Sequence, residues 1–163
     1  MSVVEYLTGI TERLVQSGVA EAAEIRGLSD AELEEVRIDQ AVSQLPGSYL
    51  QFLKLMGRSA GYLLRGTDVF YPKLLGLKQD AKELLASNGI PEASLEECIV
   101  FSMHGGYQIH WLSSSMEDSP VLMYSEAQQF PDPRSWPNLR SYLEREIDLT
   151  ARWAQKWRME ENG

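Results

Sequence analysis

Two β-prone runs, Cys98-Ile99-Val100-Phe101-Ser102-Met103-His104 and Tyr107 to Leu112, are separated only by Gly105-Gly106. Both glycines tolerate positive φ, so the dipeptide predicts a two-residue hairpin turn. In that register His104 pairs with Tyr107 and Phe101 with His110. His104 then shares a face with Tyr107, Ile109 and Trp111, while His110 points to the opposite face. Met116 to Pro120 reads as a second turn and Val121-Leu122-Met123-Tyr124 as a third strand. The result is an antiparallel meander, which has to bury an apolar face against something else.

The rest of the chain supplies helices for that purpose. Val3, Leu7, Ile10 and Leu14 recur at helical spacing before Gly18. Ser29-Asp30-Ala31-Glu32 has the form of a capping box, opening a helix through Leu33, Val36 and Ile38 that ends near Leu45, before Pro46. Pro46 suits the first turn of a further helix, with Tyr49, Phe52, Leu53 and Met56 on one face and Gly57 to close it. Residues 57–78 read as loop with one short strand, and Ala81, Leu84 and Leu85 as a short helix ended by Asn88-Gly89. Pro137 opens a long C-terminal helix in which Leu139, Tyr142, Leu143, Ile147, Thr150, Trp153 and Trp157 track one face, the two tryptophans as packing residues. Strands grouped together with helices on both sides predict an α+β fold. At 163 residues the chain fits one domain over 1–163, a mostly antiparallel sheet packed against N-terminal helices and a long C-terminal helix.

Cys98 is the only cysteine, which rules out an intrachain disulfide and suits a reducing compartment. Glu5 stands where a signal peptide would carry basic residues, and no stretch approaches the ~20 apolar residues of a membrane span. The expectation is a cytoplasmic protein that uses no membrane. The net charge of −9 repels phosphate backbones and argues against direct nucleic-acid binding. That charge is unevenly spread: residues 87–133 hold seven acids (Glu92, Glu96, Glu97, Glu117, Asp118, Glu126 and Asp132) and no lysine or arginine. Such a segment either keeps the protein in solution or attracts a basic partner.

Reactive machinery is harder to find. On opposite faces of a hairpin, His104 and His110 cannot share a metal, and Cys98 opens an apolar strand where a cysteine serves as a small hydrophobe. Gly57, Gly61 and Gly66 lack the ending of a phosphate loop and the context of a dinucleotide site. There is no Gly-x-Ser-x-Gly elbow. No catalytic set, cofactor or metal is expected.

Several features occur together in order: Leu45-Pro46 followed by Ser48-Tyr49-Leu50-Gln51-Phe52-Leu53, the His104-Gly105-Gly106-Tyr107 turn, Pro120-Val121 with Glu126 after it, and Trp136 at the entry to the last helix. Over roughly residues 28–155 the chain resembles the SUKH superfamily of immunity and scaffold proteins, residues 1–27 being an N-terminal helical embellishment. The resemblance implies one α+β domain without catalytic residues. It also implies work by protein contact, most directly as a bacterial immunity protein that neutralises a polymorphic toxin, often a nuclease. A cytoplasmic scaffold or regulatory module with an endogenous partner is the alternative. On this reading Glu117, Asp118, Glu126 and Asp132 carry the charge that meets a basic toxin domain, and Trp111 or Tyr124 anchors the contact. A homodimer is a further arrangement open to such a chain.

Overall fold

The computed structural model describes residues 7–126 and 134–163, the side chains of residues 92, 93 and 134 excepted. Among these residues the helices are α1 (Thr8–Gln16), α2 (Asp30–Asp39), α3 (Gly47–Met56), α4 (Leu77–Ser87) and α5 (Leu139–Glu161). The strands are β1 (Ile25–Arg26), β2 (Ser59–Ala60), β3 (Thr67–Asp68), β4 (Cys98–His104), β5 (Gln108–Ser113), β6 (Val121–Ser125) and β7 (Arg134–Trp136). β3 to β7 form one antiparallel sheet in chain order, and β1 pairs separately with β2. The fold is α+β in a single domain.

The central hairpin departs from the expected register. Its loop is Gly105-Gly106-Tyr107, three residues rather than two, and the paired residues are His104↔Gln108, Met103↔Ile109 and Ser102↔His110. Tyr107 is taken into the loop because its ring packs edge-on to His104 at 5.8 Å. It also lies over Gly105, where a Cβ would stand 2.6 Å from the ring. Slipping a strand by one residue exchanges its faces. His104 and His110 therefore lie on the same face, with Ser102 and Gln108, while Ile109 and Trp111 lie on the other.

β4 is buried on both faces from Ile99 to Met103, which explains its unbroken apolar run. The pairing shifts between Val100 and Ser102, so Phe101 is a bulge residue. Its ring meets Tyr142 of α5 at 5.5 Å and His110 at 6.0 Å. α5 thus covers the Ser102–His110 face.

Ser29 and Glu32 do form the capping box of α2. That helix ends at Asp39, short of Leu45, because Gln40 leaves it to reach β4 and Ala41 takes a φ of 55°. Pro46 caps α3 from just outside rather than entering its first turn. Residues 57–78 hold two short strands, β2 and β3, instead of one. At the N-terminus Leu7, Ile10 and Leu14 are fully buried in the same core as Leu53, Ile99 and Ile147. Val3 lies outside the described residues.

The C-terminal helix also corrects an expectation. Leu139, Leu143, Ile147 and Ala154 form its buried stripe, while Trp153 is 53% exposed. Trp157 is half-buried, 5.5 Å from the ring of Tyr62. Trp153 stands one residue off this stripe, about 100° round the helix from fully buried Ala154, and faces a groove instead.

Tyr49 is completely buried, stacked on Phe52 at 6.1 Å, yet its hydroxyl has no hydrogen-bond partner among the described residues. Burial pushes its ionisation well above the ordinary range. A buried orphan hydroxyl costs about 1–3 kcal/mol, so Tyr49→Phe should stabilise the fold by about 1 kcal/mol. In a thermal melt that corresponds to a gain of about 2–4 °C.

Candidate functional site

A groove of about 440 Å³ lies between α5 and the corner of β3, β4 and β5. Tyr142, Glu146, Thr150, Trp153 and Trp157 present one stripe of α5 to it, and Thr67, His104, Gln108 and His110 reach it from the sheet. The register slip makes this possible by placing both histidines on the α5 side.

The floor is a buried polar chain. Ser102, fully buried, lies with its Oγ 2.8 Å from His110 Nδ1. Its hydroxyl also bonds Tyr142. His110 is packed among Phe101, Trp136 and Tyr142, with ring centres 4.9–6.0 Å away. Loss of water holds its pKa down to about 4, helped by the nearby His104, so the ring is neutral at physiological pH. A serine and a histidine in contact suggest nucleophilic catalysis, but Ser102 is sealed from any substrate. Ser102 Oγ and His110 Nδ1 satisfy each other within the core. His104 Nδ1 is tied to Thr67 Oγ1 at 3.0 Å.

The groove's charged groups are differently placed. Glu146 is half-buried, and desolvation raises its pKa against the opposing effect of Arg145. The Arg65 guanidinium lies over the Trp157 ring at 4.7 Å and the Tyr62 ring at 5.5 Å. Tyr62 in turn hydrogen-bonds Glu161. Nothing in the sequence drew these residues together: they come from the loop between β2 and β3 and from α5, whose partnership only the fold defines.

The acids singled out from sequence do not form one face. Consecutive turns of a meander lie at opposite ends, and β6, five residues or about 17 Å long, separates Glu117 and Asp118 from Glu126. Glu126 is exposed at the β4–β5 loop end. Its N–H donates to Tyr107 O, and its carboxylate accepts from Asn88 Nδ2 at 3.0 Å. Asp132 lies outside the described residues. At the other end, Glu117 and Asp118 are joined by Glu96 and Glu97, because β4 begins where β5 finishes. Ser114 donates through N–H and Oγ to Glu97 O, and Ser48 N–H at the start of α3 donates to Glu117 O. All four acids are exposed, beside Met116, which is 51% exposed. Among the described residues no lysine or arginine forms an ion pair with Glu96, Glu97 or Glu117.

Trp111, Leu122 and Tyr124 share the sheet face away from α5 and are each half-buried. Cys98 is half-buried, with burial raising its thiol pKa. No described helix is long and apolar enough to cross a membrane. Among the described residues no three His, Cys, Asp or Glu side chains converge as metal ligands. Comparison with known proteins finds no matching family model and no matching curated protein.

Proposed function

We propose that the protein is a non-enzymatic, cytoplasmic protein-binding domain of the SUKH kind, an immunity protein that neutralises a basic toxin domain. The observation that supports this most is the acidic end of the sheet. Glu96, Glu97, Glu117 and Asp118 gather there on backbone that Ser48 and Ser114 hold by hydrogen bonds. Fixed acids of one sign raise the rate at which a basic surface arrives and turn it into register. Exposed Met116 and half-buried Trp111, on the half of β5 nearer that end, supply apolar contact. Glu126, at the far end of β6, drops out of this surface.

Co-expression with the product of the adjacent reading frame, scored by co-purification and rescue of growth, identifies the partner. Reversing Glu117→Lys and Asp118→Lys together should then slow association by about tenfold at low salt, with a smaller effect at high salt. The far-UV spectrum should be unchanged, since both side chains are exposed. Equal association rates for the two proteins would remove this end of the sheet from the interface. A partner that proves to be an endogenous protein, with no toxin encoded nearby, would favour the scaffold role instead.

A further inference from the structure

The groove beside α5 lies at the opposite end of the sheet from the acidic cluster, and what it could hold goes beyond the protein-binding reading. We propose that it binds a small planar ligand with hydrogen-bonding edges and a negative charge, the chemistry of a nucleoside monophosphate. Three observations converge on that class.

The floor offers groups able to read an edge. His110 commits Nδ1 to Ser102, and its other ring nitrogen has no partner among the described residues. The same holds for the side chains of Gln108 and Glu146, both lining the groove. Burial raises the pKa of the Glu146 carboxyl, and its oxygens face the groove as acceptors for the edge of a base. The wall is aromatic: Trp153 is 53% exposed, with Lys156 Nζ 5.9 Å from the centre of its ring. Stacking on such a ring tolerates any base, because every base has a π-face.

The rim is cationic although the protein as a whole carries −9. Arg65 and Arg152 both line the groove, and neither has a carboxylate partner among the described residues. Arg13, Arg37, Arg58 and Arg158, by contrast, are all in ion pairs. Arg65 is held over the Trp157 and Tyr62 rings, contacts that leave its N–H donors for an anion. Two arginines disfavour a cationic ligand, and the polar floor disfavours a purely apolar one. The volume of about 440 Å³ lies within the range of small-molecule sites.

Titration calorimetry of the full chain with AMP, GMP, CMP and UMP, near neutral pH, tests the assignment. At least one should bind with a Kd of about 10–100 µM, and its uncharged nucleoside and inorganic phosphate should each bind at least about tenfold more weakly. Arg65→Ala and Trp153→Ala should each weaken binding by about tenfold in protein with an unchanged far-UV spectrum. The proposal is overturned if no monophosphate binds below about 1 mM, or if phosphate alone binds as well as the nucleotide. Binding indifferent to both substitutions also overturns it, as does a groove that responds only when a protein partner is added.

Discussion

Replacing Gln40 with leucine should remove about 2–6 kcal/mol of stability, one of the largest losses available to a single side chain here. Gln40 is completely buried at the end of α2, and its amide does the work of a missing strand. Nε2 donates to Val100 O at 2.8 Å, and Oε1 accepts from Val100 N–H at 3.0 Å. The need arises because β3 pairs with β4 only at His104 and Met103. Beyond that point β4 has an edge inside the protein, where unpaired backbone groups would each forfeit about 1–3 kcal/mol. Lys78, 5% exposed, continues the repair by donating Nζ to Gln40 O at 2.6 Å and Cys98 O at 2.9 Å. Leucine fills the volume but meets neither group of Val100. Urea unfolding should show the loss, and amide exchange at Val100 should rise. An unchanged midpoint would mean that water or a shifted backbone replaces the amide.

Acid should weaken the protein through His110. Its pKa falls from 6.5 in the unfolded chain to about 4 in the fold. The unfolded chain therefore takes up a proton below pH 6.5 that the native state refuses. Stability is fully present above that pH and declines as pH drops towards 4, by about 3 kcal/mol in all. Glu146 acts with the opposite sign, since its raised pKa favours the protonated fold, and it reduces the net loss. Urea midpoints measured between pH 7 and pH 4 should fall for the native protein. His110→Gln, which keeps a polar contact for Ser102 without a titrating ring, should lose less over the same interval while being weaker at neutral pH. Parallel pH profiles would dissociate the acid sensitivity from this histidine.

The sequence carried the fold class well where periodicity and caps are local. The Ser29–Glu32 box, the apolar face of α3 and the three strands of the meander were all readable, because each depends on residues within a few positions. The turn was misjudged because Gly105-Gly106 satisfies a two-residue loop locally, whereas the Tyr107–His104 ring contact selects three. That single residue also concealed the groove: with the histidines placed on opposite faces, no polar cluster could be foreseen. Trp153 looked like a packing residue because its bulk drew the apolar stripe one position off small Ala154, which the core takes instead. Gln40 and Lys78 had no signal at all, since their role follows from the brevity of β3.

The order of strands in the large sheet bears on how the molecule assembles. Each strand joins its neighbour in the chain, so β4 to β6 can zip together through short loops soon after they emerge. The first helix has no such nearby companion. Arg13 meets Asp148 across 135 positions of sequence, so the contact of α1 with α5 waits until α5 has been synthesised. During translation, then, the side of α1 that meets α5 stays open to straying contacts until the last helix arrives.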